Sequence, residues 1–390
     1  MSRLTTGRAL GVSALLAGAL GLTACSGTSS GTSAQSAGDG TAAVSMATSI
    51  STAQDSWAVV PMASDPAFWQ VFVRSANSGS WRLVTPPGIA DNGGLVASAS
   101  GPSSLSVVVR ANQDLAFSPL TATANAGASW STGGLIDASV AASPDALAAS
   151  GGKLVALLGN GTVETSSDAG TSWSVIAKPG AIAASPAGKG CGGAVLVTSV
   201  SFGLATIGPV STDVLAGGTC GAGGAALFSY APGAGWQRVS LPVSGQLLRL
   251  SGVMALVQGK SGLSALWRGT GWYAYAGAAG TPQPAPTNWS APAALPVSGT
   301  VTASGTLASG GAWVLLPGGR AATIGGPGKQ WVLLPPVPAH TAVLASGPGG
   351  ATDALAVSGE TLTVWRLAAA STVWTRAETI RVPIQYGSSS

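Results

Sequence analysis

Short runs of alternating apolar and polar residues, separated by turns rich in glycine and serine, recur along most of the chain. The clearest unit is Lys153–Leu158, followed by the pair Asn160-Gly161, by residues 162–165 and by a second turn that ends at Trp173. Asn-Gly supplies the positive φ that a tight hairpin prefers, so this stretch predicts consecutive antiparallel strands. No 3.6-residue period is sustained anywhere, and the pattern therefore predicts an all-β fold.

Tryptophan marks the repeat of this unit, in most cases after a turn that contains glycine or serine. The marker positions are Trp81, Trp130, Trp173, Trp236, Trp272, Trp331 and Trp374. Their mean spacing is about 49 residues, and repeats of this length with several strands and no helix are typical of β-propeller blades. We therefore predict seven four-stranded blades, with six or eight as alternatives, and a strand within residues 43–50 that completes the last blade.

The turn before the third marker carries a second pattern. Its residues are Ser166, Asp168, Gly170, Ser172 and Trp173. They match S-x-D-x-G-x-[ST]-W and resemble the Asp-box, or BNR repeat, of sialidases and other exported β-propellers. Weaker copies occupy residues 123–130 and 75–81. An Asx side chain can bond the backbone of its own turn and glycine accepts positive φ, so we predict that the box stabilises a hairpin rather than contacts a substrate.

The N-terminus has the pattern of a secretion signal. Arg3 and Arg8 precede an uncharged apolar stretch, residues 9–22. Leu22-Thr23-Ala24-Cys25 then resembles the lipobox of bacterial lipoproteins, which implies cleavage before Cys25 and attachment of diacylglycerol to its thiol. The alternative is an ordinary signal peptide with a chance cysteine. We expect a protein anchored by lipid to the outer face of the cell membrane.

Three segments follow from these patterns: a signal peptide at 1–24, the lipidated Cys25 with a flexible tether at 25–43, and a single β-propeller domain at 44–390. The tether is polar, rich in Ser and Gly, and without hydrophobic period. Mean hydropathy is +0.41, yet no uncharged apolar run after residue 25 has the length of about 20 residues that a spanning helix needs.

Charge and composition exclude some functional classes. Without Arg3 and Arg8 the chain keeps 15 basic residues against 13 acidic ones, a balance that gives no support for nucleic-acid binding. The abundance of Ala and Gly, with Arg favoured over Lys, resembles proteins of GC-rich actinobacteria.

Cys191 and Cys220 remain after the lipidated cysteine, and an even count in an exported chain predicts a disulfide between them. The alternative is two unpaired buried thiols. Metal ligation is not expected, because His340 is the only histidine and no C-x-x-C motif is present.

Catalytic patterns are weak, so we assign no catalytic residue and no cofactor. Sialidases need three arginines around a carboxylate, a Tyr–Glu pair and an acid/base Asp, and the Arg-Ile-Pro motif near their N-terminus is missing here. The most similar tripeptide is Arg381-Val382-Pro383, which lies near the C-terminal end of the sequence. A divergent glycoside hydrolase of this type would require an arginine cluster at the axis, drawn from Arg74, Arg110, Arg249, Arg320 and Arg381.

The composition and motifs favour a monomeric, non-catalytic surface propeller that binds or scaffolds an extracytoplasmic protein, peptide or glycan. The alternatives are the divergent hydrolase and an assembly factor for envelope complexes. Trp289, in the Pro-rich segment 281–292, is the candidate ligand contact, because an exposed aromatic ring in a long loop can stack on a ligand. Packing of Trp289 against its own loop is the alternative.

Overall fold

The computed structural model describes residues 47–383, except for 64–67, 77, 88–93, 111–116, 132–133, 137–142, 203–212, 222, 252–253, 261 and 269–288. The predicted signal peptide, Cys25, the tether and Trp272 lie outside the described residues. No helix in the described part of the chain is long and apolar enough to cross a membrane.

The chain forms seven antiparallel sheets, each built from four strands that are consecutive in sequence. They are the blades of a seven-bladed β-propeller, so the predicted all-β class and blade count are confirmed. Taken four at a time as blades 1 to 7, the strands are β1 (Thr48–Ser51), β2 (Asp55–Met62), β3 (Phe68–Ser75), β4 (Arg82–Leu83), β5 (Leu95–Gly101), β6 (Ser104–Val109), β7 (Ser118–Thr123), β8 (Leu135–Ile136), β9 (Pro144–Ser150), β10 (Lys153–Leu158), β11 (Val163–Ser166), β12 (Ser174–Ala177), β13 (Val195–Phe202), β14 (Val214–Cys220), β15 (Ala225–Ala231), β16 (Gly235–Val239), β17 (Gln246–Leu250), β18 (Met254–Gly259), β19 (Gly262–Trp267), β20 (Ala293–Ala294), β21 (Ala303–Thr306), β22 (Ala312–Leu316), β23 (Arg320–Ile324), β24 (Trp331–Leu333), β25 (Thr341–Ser346), β26 (Thr352–Ser358), β27 (Thr361–Leu367) and β28 (Thr375–Arg381).

The first strand of each blade lies nearest the centre of the ring, since first strands of successive blades contact one another, as β5 does β9 and β9 does β13. Because side chains alternate between the two faces of a strand, each blade packs one set of residues against the preceding blade and the other set against the next blade. On β6, Leu105 and Val107 pack with blade 1, whereas Val108 packs with blade 3. The period-2 pattern of the sequence thus fills both faces of each blade.

The described marker tryptophans stand at or shortly before the fourth strand of their blade. The indole N–H of Trp236 donates to the carbonyl of Ile176 in blade 3 (3.3 Å), and that of Trp331 donates to the carbonyl of Ala293 in blade 5 (2.9 Å). Each of these tryptophans therefore ties its blade to the preceding one while its ring fills the space between them.

Trp289 has the same place in blade 5 that the markers have in other blades. It precedes β20, is 9% exposed, and packs with Leu215 and Leu227 of the preceding blade. The glycine-containing turn before Trp272 had predicted that residue for this place. Because the Trp289 ring is buried between blades, we do not propose it as a ligand contact.

Among the strands of the described residues, none is exchanged between blades 7 and 1, so the prediction that residues 43–50 complete the last blade is wrong. β1 pairs with β2 inside blade 1, and blade 7 is complete with β25–β28. Closure rests on side chains around Asp353 of β26, which is fully buried. Asp353 accepts the Trp81 indole N–H (3.0 Å) and forms ion pairs with Arg366 (2.7 Å) and with Arg74 of blade 1 (3.6 Å).

The connection between blades 3 and 4 contains the one-turn helix α1 (Ala181–Ala184) and a 3-10 turn, Lys189–Cys191. The predicted disulfide is present: Cys191 is bonded to Cys220 at the end of β14. Both cysteines are buried in the core shared by blades 3 and 4. The bond therefore fastens the connection to the second strand of blade 4.

Candidate functional site

The predicted Asp-box forms a hydrogen-bonded turn between β11 and β12. Ser166 Oγ donates to Asp168 Oδ1 (2.7 Å) and accepts the N–H of Gly170 (2.8 Å). Asp168 also accepts the backbone N–H (2.9 Å) and the hydroxyl (2.6 Å) of Ser172. The bonds from Ser172, followed by that from Ser166, lower the pKa of Asp168 to about 2. The indole of Trp173 donates to the carbonyl of Gly170 (3.2 Å), so the carboxylate and its neighbours are engaged by their own turn.

The weaker copy in blade 2 has the same geometry with an amide in place of the carboxylate. Asn125 Oδ1 accepts the Ser129 N–H (2.9 Å) and the Thr123 hydroxyl (2.9 Å), while Thr123 Oγ1 accepts the Gly127 N–H (2.9 Å). A neutral side chain therefore supports the same turn. The boxes of blades 2 and 3 act through hydrogen-bond geometry rather than negative charge, as a structural role requires.

At the axis, hydroxyl side chains of β1 join blade 1 to blades 6 and 7. Thr48 Oγ1 donates to the carbonyl of Ser304 (2.9 Å), and the indole of Trp313 donates to Ser49 Oγ (2.7 Å). Ser49 Oγ in turn donates to the carbonyl of Leu344. Small hydroxyl residues allow this close approach of strands while keeping their polar groups paired.

Arg249 of β17 extends from blade 5 into the same region. Its Nη1 donates to Thr48 Oγ1 of blade 1 (2.9 Å) and to the carbonyl of Ser304 of blade 6 (3.2 Å). Among the described residues, no atom accepts a hydrogen bond from Nε or Nη2 of Arg249, and no carboxylate forms an ion pair with its guanidinium. Both of these nitrogens remain accessible to solvent. Burial lowers the pKa of Arg249 to about 10, so the group remains charged at neutral pH.

An apolar side chain is open to solvent on the neighbouring inner strand. Leu196 of β13 is 64% exposed, although it belongs to the first strand of blade 4. Two residues on, the exposed Thr198 donates to the carbonyl of Leu247 (3.4 Å), which places β13 beside the strand of Arg249. Leu196 and Arg249 therefore lie on adjacent inner strands, on opposite sides of the Thr198–Leu247 contact along the strand direction.

The other arginines considered in the sequence do not converge on Arg249. Arg74 and Arg110 are paired with carboxylates at interfaces between blades. Arg320 and Arg381 are exposed on a third and a fourth strand. Within the described residues, the arginine cluster that a sialidase-type site requires is not assembled.

Sequence reasoning named Arg249 only as one of five candidates for a hydrolase-type arginine cluster, and it did not single out Asp353. A usable signal was present, because each is a lone charge within a strand whose other residues are mostly apolar. A charge in such a strand needs a partner supplied by the tertiary structure. Asp353 has that partner, and Arg249 keeps two donor atoms without one.

Comparison with known proteins identifies no family. No protein-family model matches the chain, and no curated protein matches it. Among solved structures, the GH74 xyloglucanase from Xanthomonas campestris is 12% identical with a TM-score of 0.49, and the match covers 85% of this chain and 55% of the xyloglucanase. The chain thus spans about half the length of that protein.

A second similar structure is YCF48 bound to D1 peptide. It is 12% identical with a TM-score of 0.43, and the match covers 89% of this chain and 94% of YCF48. At such low identity, a structural likeness shows a shared fold alone. It assigns no activity, substrate or partner to this chain.

Proposed function

We propose that this chain is an exported, lipid-anchored binding protein that holds a carboxylate of an extracytoplasmic protein partner at the centre of its ring. The observation that carries the proposal is the Arg249 guanidinium, which has two free donor atoms and no ion pair among the described residues. A guanidinium fork matches a carboxylate with two parallel hydrogen bonds. A bound carboxylate would compensate a charge that the protein leaves partly desolvated.

Leu196 favours a peptide over other carboxylates. Its exposed side chain adds an apolar contact beside the strand of Arg249. Because Leu196 and Arg249 lie on opposite sides of the Thr198–Leu247 contact, a peptide can reach both when an apolar residue precedes its C-terminal carboxylate by a few positions. An envelope-assembly role would differ from this proposal only in the identity of the partner, whereas a sialidase-type hydrolase has less support because the arginines do not converge.

The test uses the purified chain in detergent and the acetylated tripeptide Leu-Ala-Ala, with either a free C-terminal carboxylate or a C-terminal amide, by isothermal titration. The free carboxylate should bind about 10- to 100-fold more tightly than the amide, because hydrogen bonds to charged groups contribute about 1.5–3 kcal/mol. Arg249→Gln should remove this difference. Arg320→Gln, which deletes an exposed arginine, should keep it.

Equal affinity for the two peptides, or an unchanged preference in Arg249→Gln, would contradict the proposal. Thermal melting of Arg249→Gln serves as a folding control. Loss of an uncompensated charge should leave the melting temperature unchanged or raise it.

Membrane attachment through diacylglycerol on Cys25 is the second part of the proposal, and it rests on the lipobox text 22–25. In a bacterial host that processes lipoproteins, the chain should fractionate with membranes and incorporate labelled palmitate. Cys25→Ser should abolish both, while Ser26→Ala should retain them, because two acyl chains hold a protein durably where the peptide alone does not. An unlipidated wild-type chain in the soluble fraction would show this part to be wrong.

A further inference from the structure

The interface between blades 2 and 3 is apolar at one end and hydroxyl-lined at the other. Alternation directs Ser104, Ser106 and Val108 of β6 toward blade 3. Val108 is fully buried with Leu120 and other apolar residues of the two blades. Beside the two serines the blades instead enclose a groove of about 450 Å³.

Neighbouring interfaces fill the corresponding position. The third residue of the second strand is Trp57 in blade 1 and Val155 in blade 3, and both are fully buried against the next blade. In blade 2 the third residue is Ser106. Adjacent blades have a large apolar side chain at this position, and a serine there contributes less packing energy. Folding does not require the serine, so the groove is a specific departure from the repeat.

The described walls of the groove are preorganised and carry no charged side chain. On one side stands the turn of the weaker Asp-box, where Asn125 is held by Ser129. Blade 3 contributes apolar and backbone surface. The lining residues that carry the argument are Ser100, Ser104, Ser106, Asn125, Ser129 and Trp130. None of the described residues that line the groove is ionisable.

This chemistry selects a class of ligand. Hydroxyl and amide groups both donate and accept hydrogen bonds, as the hydroxyls of a sugar do, and an indole offers an apolar contact. A charged ligand would lose hydration here without gaining a counter-charge. The volume lies in the range of about 300–1,000 Å³ typical of small-molecule sites.

We propose that the groove between blades 2 and 3 binds a neutral sugar unit of a glycan. This site is independent of Arg249 and goes beyond the proposed function. It would give the propeller a second binding site, for carbohydrate of the cell envelope or of a protein partner.

The test is a titration of the isotope-labelled chain, monitored by NMR, with the methyl glycosides of glucose, galactose, mannose and N-acetylglucosamine, and with methyl glucuronide as the charged analogue. At least one neutral glycoside should shift the amide signals of residues 100–106 and 125–131. The glucuronide, which differs from the glucoside by a carboxylate, should bind about 10-fold or more weakly.

Ser106→Val restores the apolar pattern of the neighbouring blades and should fill the groove. We expect this variant to lose sugar binding by about 10-fold or more while its melting temperature is unchanged or higher. Ser229→Val, a substitution of the same kind on β15 of blade 4, should bind as wild type, and so should Arg249→Gln. If no neutral glycoside shifts these amides, or if Ser106→Val binds as well as wild type, the proposal is overturned.

Discussion

Asp353→Ala should lower the free energy of unfolding by about 3–5 kcal/mol, because it leaves buried cations and an indole N–H without their acceptor. Asp353 is fully buried, and its two oxygens accept from Arg366 Nε (2.7 Å), Arg366 Nη2 (3.0 Å) and Trp81 Nε1 (3.0 Å). Arg74 of blade 1 lies 3.6 Å away. Since no strand within residues 47–383 is exchanged between blades 7 and 1, this cluster is a main polar contact that holds the ring closed.

Urea unfolding followed by tryptophan fluorescence measures the effect. The matched control is Glu360→Gln, which removes a pair with Arg381 at 3.7 Å in which Arg381 is 83% exposed, and which should cost no more than about 1 kcal/mol. If Asp353→Ala does not fold, Trp81→Phe removes a single donor to the same carboxylate and should cost about 1.5–3 kcal/mol. A loss in Asp353→Ala no larger than in the control would show that the ring closes by apolar packing alone.

Removal of the disulfide in Cys191→Ala/Cys220→Ala should lower the free energy of unfolding by about 3–4 kcal/mol. The bond closes a loop with a sequence separation of 29 residues and so restricts the unfolded chain. It also holds the connection with α1 against the core of blades 3 and 4. The comparison is between wild type and the double variant in urea.

A reducing agent provides the control for this experiment. It should destabilise the wild-type chain by a similar amount and leave the double variant unchanged. If the double variant unfolds at the same urea concentration as wild type, the disulfide does not contribute in this way.

Local features of the propeller were predictable because they depend on residues close in sequence. The Asp-box hydrogen bonds join Ser166, Asp168, Gly170 and Ser172, which are at most six residues apart. The hairpin at Asn160-Gly161 depends on one pair, with Gly161 at φ 85°. Such patterns determine the same turn wherever they occur.

Trp289 shows where a local turn signal misleads. The sequence offers Trp272 and Trp289 as candidates for the place between blades 4 and 5, and the Gly-Thr-Gly turn before Trp272 favoured the first, although Trp289, 53 residues after Trp236, fits the mean spacing better than Trp272 at 36. The fourth strand of that blade begins only at Ala293, after a long connection. Loop length costs little free energy, so a long connection before the fourth strand is tolerated and the turn before a tryptophan does not decide which one is used.

The sequence by itself determined the all-β class, the number of blades, the Asp-box turns and the pairing of Cys191 with Cys220. These follow from strand alternation, turn chemistry and a count of cysteines. The tertiary structure alone decided how the ring closes, what Arg249 faces and where a gap opens beside Ser106. The Trp81–Asp353 bond joins residues 272 apart and the Arg249–Thr48 bond joins residues 201 apart. Contacts at such separations depend on the placement of whole blades, which no local pattern encodes.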